Sequence, residues 1–481
     1  MKQAFLRRSW RLAGIAALAA AVVTCAVNPV TGKRELSLVS EGQEIQMGQE
    51  YAKQVTQEMG AYPDSSVQRY VRTIGLRLAK ASERPSLPWN FTVIDDPQVN
   101  AFALPGGPIF ITRGILTHMN SEAELASVVG HEIGHVTARH SVQQMTRQQL
   151  FQVGLVAGAI ASDKVAQNLG LLSTGLGILS LKYGRDDETQ ADGLGFRYAL
   201  NDGYDVRQMV DMFKILQRIS GGGSRIPEWQ STHPDPGNRI EATEARLRRV
   251  TVPLDGKKVG RPEFLAVIDG MIFGDNPRQG FFKDGRFNHP DLAFSIDFPS
   301  GWQTVNQVSA VAGLSPQKDA QLQLSLAGKG DPGQTLQQFL GQEGIQAGQA
   351  RSTSVNGNPA ALAPFSAQTQ EGQTLNGLVG MVSYGGNTYQ LLGITAQPAS
   401  AYSQVFQSFI MSFRRLTDPA ALNVKPDRID IVKVPRAMTL AQFNQQYPST
   451  ISIERLALVN GVADGNAPIA AGESVKRVIN Q

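Results

Sequence analysis

The chain has 481 residues, of which 42% are hydrophobic, and it carries 45 basic and 41 acidic residues. A chain of this length is too long to fold around one hydrophobic core, so the sequence predicts two to four domains. Four of the basic residues lie within the first 24 positions, which leaves the remainder near neutral, and the absence of a basic stripe argues against nucleic acid as a partner.

Residues 1–24 have the pattern of a secretory signal peptide. Basic residues precede an apolar run from Leu12 to Val23 that is too short to span a bilayer. The only cysteine, Cys25, follows directly and resembles the lipid-modified first residue of a bacterial lipoprotein. Thr24 departs from the Gly, Ala or Ser usual before that cysteine, so simple cleavage to a soluble periplasmic product stays open. By the habit of such lipoproteins, Ala26 directs the protein to the outer membrane.

The motif His131-Glu132-Ile-Gly-His135 (HExxH) carries the most functional information in the chain. Ser121 and Glu124 predict a capped helix start before it. Residues four apart share one helix face, so His131 and His135 can bind one cation. Zinc accepts neutral imidazole and keeps a position for water, which Glu132 would deprotonate as general base. The motif predicts one Zn²⁺ per chain.

The segment from Phe151 to Leu181 is rich in Gly, Leu, Ile and Ala. Polar residues interrupt it before 18 apolar residues accumulate, which favours a helical hairpin over a membrane span. Its glycines are typical of a mobile lid over an active site.

A third metal ligand is expected from the acidic run that starts at Asp186. Glu188 and Asp192 are four residues apart, so one carboxylate can bind the metal while the other accepts the free N–H of a ligand histidine. From the residues alone, Asp186 and Asp187 compete with Glu188, and all of them also suit the solvated first turn of a helix.

These motifs resemble the HtpX and CAAX-prenyl-protease clan of gluzincin metallopeptidases, and most closely its periplasmic BepA-like members. The resemblance covers about residues 26–250 and includes Asn28-Pro-Val-Thr-Gly-Lys33 and the run from Asn100 to Gly107. It implies that the zinc ligands are His131, His135 and Glu188, the general base is Glu132 and the partner of a ligand is Asp192. It also implies that Asn100, Ala101 and Phe102 lie on an edge strand that pairs with an extended substrate.

The remaining histidines have different expected roles. His140 is five residues past His135, about 140° around a continuous helix, which predicts that it faces away from the metal. His118 is predicted to be structural. His233 lies in a turn restricted by two prolines, and members of the family carry a His-Pro there. It could donate to the oxyanion, occupy the open metal position, or be a surface residue.

The second half of the chain changes to the alternating pattern of β-strands. This pattern begins near Leu292, and with helices near 335–341 and 402–413 it predicts an α+β sandwich similar to PsbP-like modules. The tail after the linker 417–427 resembles a LysM-type β-α-α-β module, which suggests peptidoglycan as a partner. Ala437-Met438 replaces the usual Gly-Asp, so a degenerate or protein-contacting copy is the alternative.

The sequence therefore predicts a multidomain protein with a mainly α zincin-type metallopeptidase domain, a small edge sheet, an α+β sandwich and a LysM-like module. The predicted divisions are a signal peptide 1–24, a metallopeptidase domain 25–255, a linker 256–287, a PsbP-like domain 288–416, a linker 417–427 and a LysM-like module 428–481. The expected function is a zinc endopeptidase in the periplasm of a Gram-negative bacterium, lipid-anchored in the outer membrane, that cleaves misfolded or unassembled envelope proteins. The alternative is an anchored chaperone or peptidoglycan-binding adaptor with a latent metal site.

Overall fold

A computed structural model describes residues 24–148, 183–221, 233, 236–368 and 373–480. It divides into two compact units. Among the described residues, the first unit comprises those within 24–56, 61–273 and 428–479, and the second comprises mainly those within 274–427. The predicted signal region up to residue 23 and the whole of the predicted glycine-rich hairpin lie outside the described residues. Within the described residues, no helix combines the length and the apolar character that a membrane crossing needs.

The first unit contains a hairpin and a three-stranded sheet. The hairpin pairs β1 (Thr24–Val27) with β2 (Arg34–Ser37), and the sheet has the order β3 (Asn90–Ile94), β5 (Pro108–Thr112), β4 (Ala101–Ala103). Strands β3 and β5 lie side by side and run parallel. Strand β4 pairs antiparallel with β5 and forms one edge of the sheet, as the edge-strand prediction requires.

The N-terminal portion of the first unit contains α1 (Glu41–Met59), α2 (Ser65–Lys80), α3 (Arg113–His118), α4 (Glu122–Thr137), α5 (Arg185–Asn201), α6 (Gln208–Gly221), α7 (Pro236–Leu247) and α8 (Arg261–Ile268), and residues 140–148 are also helical. Every residue of α4 is buried. A helix buried on all sides must be enclosed by other elements, so α4 forms the centre of the unit's core.

Two glycines let α4 and α5 approach closely. A Cβ on Gly195 would lie 2.7 Å from the backbone nitrogen of His131, and one on Gly130 would lie 3.1 Å from the Cα of Gly195. Any larger residue would push the helices apart, because both obstacles are backbone atoms. The glycines thus set the separation at which side chains of α5 reach the histidines of α4.

The C-terminal segment packs into the same core as these helices. It contains β18 (Asp427–Lys433), β19 (Met438–Thr439), α12 (Leu440–Gln446), α13 (Ile453–Val459), β20 (Pro468–Ile469) and β21 (Ser474–Asn480). The element order is compatible with the predicted β-α-α-β pattern, and the LysM assignment stays a prediction. The sequence predicted a separate tail, whereas residues such as Phe443 and Val478 share a hydrophobic cluster with α4.

A buried lysine connects the C-terminal segment to the end of α3. Lys476 has no exposed surface, and its ammonium donates to the carbonyls of Thr117 (3.1 Å) and Met119 (2.8 Å) at the end of α3. These carbonyls lie just before the start of α4, so the segment supports the N-terminal end of the helix that carries HExxH.

We expect Lys476→Met to lower the melting temperature by about 3 to 10 °C. Methionine keeps an aliphatic side chain but leaves two buried carbonyls without this hydrogen-bond donor, which costs roughly 1–3 kcal/mol of folding free energy for each carbonyl. Thermal denaturation measures the effect, and Lys433→Met is the matched control because Lys433 is exposed in the same segment. Equal melting temperatures for the two variants would refute this role for Lys476.

The second unit is mainly antiparallel β-structure. Its eight-stranded sheet contains β9 (Gln303–Asn306), β10 (Ala310–Leu314), β11 (Ala320–Gly328), β12 (Ile345–Ala347), β13 (Arg351–Val355), β14 (Asn358–Gln368), β15 (Thr374–Tyr384) and β16 (Asn387–Thr395). A four-stranded sheet contains β6 (Phe281–Lys283), β7 (Arg286–His289), β8 (Phe294–Asp297) and β17 (Arg414–Arg415). The helices are α9 (Pro332–Leu340), α10 (Ser403–Met411) and α11 (Pro419–Leu422), of which the first two match the predicted ones.

Two tight turns of this unit have a left-handed backbone. Asn356 and Gly357 have φ of 47° and 82°, and Gly385 and Gly386 have 59° and 80°. Two successive left-handed residues are what a two-residue hairpin needs. Within this unit's described residues, no group of His, Asp or Glu side chains is close enough to bind a metal ion.

Candidate metal centre

The HExxH motif lies on a well-formed helix, as predicted. The side chain of Ser121 accepts a hydrogen bond from the backbone nitrogen of Glu124 (3.1 Å) and caps the start of α4. His131 and His135 follow one turn apart, and their Nε2 atoms are 2.9 Å apart. Burial lowers the pKa of His135 well below its ordinary value, so this ring is neutral, as a metal ligand must be.

Two further side chains complete a buried cluster. Oε1 of Glu188 lies 3.3 Å from Nε2 of His135 and 2.9 Å from Nδ1 of His233. Nδ1 of His233 also lies 3.3 Å from Nε2 of His131. One ligand atom from each of the four residues therefore lies within 4.8 Å of every other. We call His131, His135, Glu188 and His233 the ligand cluster.

The ligand cluster fits a zinc ion. Tetrahedral ligands at about 2.0–2.1 Å from zinc lie roughly 3.3 Å from one another, and the contacts between these atoms are 2.9 to 3.3 Å. All four side chains are buried, and three nitrogens with one carboxylate oxygen form a donor set that zinc accepts. Two buried neutral imidazole nitrogens at 2.9 Å repel each other unless a proton or a cation lies between them. An ion shared by both nitrogens would account for this short distance.

Electrostatics keep Glu188 ionised inside this cluster. Burial alone would raise the pKa of its carboxyl, but the nearby charges of His233 and Arg239 and the hydrogen bond from His233 hold it well below its ordinary value. An ionised carboxylate is the form that binds a metal. Glu188 is therefore both close to the histidines and in the charge state that a metal ligand needs.

Asp192 lies one turn after Glu188 and contacts His131. Its Oδ1 is 2.9 Å from Nδ1 of His131, and it also accepts from Arg239 at 2.6 Å. Nη2 of Arg239 lies 3.2 Å from the same Nδ1, but a guanidinium only donates, so Nδ1 cannot serve both partners. The shorter carboxylate contact fixes the proton on Nδ1 and leaves Nε2 facing the ligand cluster.

Arg239 was not singled out by the sequence, although it joins two carboxylates of the site. Besides Asp192, it forms an ion pair with Oε2 of Glu188 at 3.3 Å, and its guanidinium lies 4.4 Å from the ring centre of Phe213. Arg239 lies on α7 and reaches both carboxylates from there. In the sequence, the available sign of this role was an arginine six residues after the histidine of the His-Pro turn.

Glu132 lies beside the ligand cluster without belonging to it. Within the described part of the chain, neither of its carboxylate oxygens has a hydrogen-bond partner, and Oε1 lies 3.7 Å from Nε2 of His233. Burial raises the pKa of this carboxyl, against the effects of His233 and His131. A raised pKa makes a carboxylate a better proton acceptor near neutral pH.

His140 lies outside the ligand cluster, as predicted, but the helix extrapolation behind that prediction is wrong. Helix α4 ends at Thr137 and Arg139 adopts a left-handed φ of 61°, so the chain turns back and the continuous-helix argument does not apply. His140 is buried, and its Nδ1 lies 2.9 Å from Nδ1 of His135. His118 does have a structural contact, from Nδ1 to the carbonyl of Gly114 at 2.7 Å.

The competing acidic residues lie elsewhere. Asp187 accepts from the backbone nitrogen of Gly184 at 3.1 Å and so caps the start of α5, while Asp186 is exposed. Asp187 also lies 3.9 Å from Nε2 of His140. Neither aspartate belongs to the ligand cluster.

The residues predicted to contact a substrate lie on or beside β4. Asn100 precedes the strand and its backbone nitrogen donates to Thr112, while Ala101 and Phe102 are within it. Phe102 stacks on Phe110 of the neighbouring strand, with ring centres 5.2 Å apart. This strand packs against α4, the helix that carries the metal motif.

A buried HExxH helix, with the carboxylate of Glu188 in the ligand cluster and that of Glu132 beside it, is the arrangement of a zinc metallopeptidase site. Residues 65–247 match the family model described as peptidase family M48. The chain is 30% identical to the mitochondrial metalloendopeptidase OMA1 of Schizosaccharomyces pombe over 229 residues, which are 47% of this chain and 67% of that protein. The chain belongs to peptidase family M48.

Bacterial relatives match a similar length of the chain. The Beta-barrel assembly-enhancing protease of Escherichia coli is 30% identical over 232 residues, which are 46% of this chain and 47% of that protein. The chain thus spans about half the length of the first curated relatives it matches. Among solved structures, cyanobacterial PsbP from Synechocystis aligns at 14% identity with 27% of this chain and 91% of its own, at a TM-score of 0.23. That score is too low to assign the second unit to the PsbP fold.

Proposed function

We propose that this protein is a zinc-dependent endopeptidase of the bacterial cell envelope. The observation that carries the proposal is the buried ligand cluster with Glu132 beside it. A buried set of three nitrogens and one carboxylate oxygen is costly to maintain without a cation, and the adjacent carboxylate has the position that peptide hydrolysis requires.

In this proposal each residue has a defined task. Bound zinc would supply Lewis-acid chemistry, lowering the pKa of water and polarising the scissile carbonyl. Glu132 accepts a proton from the attacking water and later gives it to the leaving amine. Asp192 orients His131, and the edge of β4 pairs with an extended substrate through backbone hydrogen bonds at Ala101 and Phe102.

The proposed substrates are misfolded or unassembled envelope proteins. Recognition by the edge of β4 uses backbone groups, so it favours unfolded, extended segments over a particular sequence. The name of the Escherichia coli relative, Beta-barrel assembly-enhancing protease, supports such a role.

The proposed location is the periplasmic face of the outer membrane of a Gram-negative bacterium. Residues 1–24 would be removed as a signal peptide, and Cys25 would carry the lipid anchor. The mass of the N-terminal peptide of the purified protein tests this, because lipidation adds acyl chains to Cys25 and simple cleavage adds none. Peptidoglycan is a further proposed partner through the LysM-like segment, and retention of the protein on purified cell wall tests it.

His233 is proposed to cap the metal in a resting state. Its Nδ1 lies as close to Glu188 and His131 as the other ligand atoms do, which suits a fourth ligand better than an oxyanion donor. This position also favours the alternative function, a chaperone or adaptor with a latent metal site.

We expect His233→Ala to retain zinc and to cleave unfolded protein faster than the wild type. Water then enters the fourth position without displacing an imidazole. The initial rate of casein cleavage at equal zinc content measures this. A fall in kcat of about 10²-fold would instead assign His233 to the oxyanion, and an unchanged rate would remove both roles.

The experiment that tests the proposed function is casein cleavage by the purified protein, with zinc content measured on the same sample. We expect cleavage that stops when a chelator removes the zinc and returns when zinc is added. A fully zinc-loaded protein that cleaves no unfolded substrate, also as His233→Ala, would overturn the endopeptidase and favour the chaperone or adaptor.

A further inference from the structure

Behind His135, on the side away from the ligand cluster, lies a short chain of hydrogen bonds. Nδ1 of His135 lies 2.9 Å from Nδ1 of His140, and Nε2 of His140 lies 2.9 Å from Oε1 of Gln190. His135 and His140 are both buried, and Gln190 comes from α5, two residues after Glu188. The left-handed turn at Arg139 brings His140 into this position.

The positions of the protons along this chain follow from the partners. The carbonyl oxygen of Gln190 can only accept, so His140 carries its proton on Nε2. Its Nδ1 then has a lone pair and accepts the proton of His135 Nδ1. A neutral imidazole has only one N–H, so Nε2 of His135 is unprotonated and faces Glu188 with a lone pair.

His131 also carries its proton on Nδ1, but there the acceptor is the carboxylate of Asp192. The two ligand histidines are therefore oriented by a carboxylate in one case and by a neutral imidazole in the other. An imidazole acceptor adds no negative charge to a buried site that already contains Glu188, Asp192 and Glu132.

We propose that His140 is a positioning residue that keeps His135 in its metal-binding tautomer, and that Gln190 in turn orients His140. The proposal rests on the metal centre of the proposed function, but its first consequence concerns the metal-free protein. Without an acceptor at His140, the proton of His135 is free to move to Nε2, where it blocks the lone pair that binds the metal.

Four substitutions separate hydrogen bonding from packing. His140→Leu removes the acceptor, whereas His140→Asn places an amide oxygen near the position of Nδ1 and restores it. Gln190→Leu removes the group that orients His140, whereas Gln190→Glu supplies oxygens that can only accept. Thr189→Val is the control on the same turn, because Thr189 is exposed and its hydroxyl donates to the carbonyl of Arg185 at 2.8 Å rather than to His140 or Gln190.

The first measurement is a long-range ¹H–¹⁵N correlation spectrum of the metal-free protein labelled at histidine. We expect His135 to be protonated at Nδ1 in the wild type, His140→Asn and Gln190→Glu, and to shift toward Nε2 in His140→Leu. The second is zinc affinity by competition with a chromogenic chelator, where His140→Leu loses about 10 to 100-fold and His140→Asn recovers most of it.

Nδ1 protonation of His135 that persists in His140→Leu, together with zinc affinity equal to that of Thr189→Val, would overturn the proposal. If His140→Leu does not fold, Gln190→Leu decides by the same two readouts, since Gln190 is partly exposed. A wild-type protein that binds no zinc would refute the proposed metal centre, whereas the tautomer of His135 would still test the hydrogen-bond chain.

Discussion

Glu132→Gln is expected to lose peptidase activity by about 10² to 10⁴-fold while it keeps its zinc. Glutamine matches the size of the buried side chain but cannot accept a proton, and general acid–base catalysis contributes a factor of this size. The ligand cluster does not include Glu132, so the metal should stay. The measurements are kcat for casein and zinc content per chain.

The matched control for this variant is Glu124→Gln on the same helix. Glu124 is also buried, burial raises its pKa to about 7, and it accepts from the backbone nitrogen of Asn120 at 2.6 Å, which glutamine can still do. Its activity should stay within a few-fold of the wild type. Turnover by Glu132→Gln within tenfold of this control would show that another group moves the proton.

Three acidic residues of α5 should differ in their effect on zinc affinity. Glu188→Gln should abolish stable zinc binding, because a carboxylate that lies among the ligand atoms is lost. Asp192→Asn should cost about 10 to 100-fold, since asparagine accepts from His131 without the charge. Asp187→Asn should bind like the wild type, because asparagine can still cap the helix at Gly184.

Zinc affinities of these three variants, measured by competition with one chelator, give the ranking directly. Melting temperatures of the metal-free proteins control for loss of structure. Loss of zinc in Asp187→Asn alone, with Glu188→Gln unaffected, would mean that the third ligand is misassigned.

The core of the site was predictable because it depends on short-range geometry. The spacing of His131 and His135 on a capped helix places two imidazoles on one face, and Glu188 and Asp192 repeat the same spacing on a second helix. The close approach of these helices also has a local basis in Gly130 and Gly195.

The remaining contacts depend on tertiary structure that periodicity does not encode. The turn at Arg139 requires a left-handed backbone at a residue type that rarely adopts it, so extrapolating the helix misplaced His140. Lys476 is a charged residue within a short strand, and only the carbonyls of Thr117 and Met119, more than 350 positions away in the chain, explain its burial. For the same reason the sequence predicted a separate tail where the structure has a shared core.

The most direct test of the metal centre is an anomalous difference map, recorded at the zinc edge from crystals of the wild-type protein. We expect one peak per chain, enclosed by Nε2 of His131, Nε2 of His135, Oε1 of Glu188 and Nδ1 of His233. A peak bound by other residues, or no peak at this cluster in protein that contains stoichiometric zinc, would contradict the account.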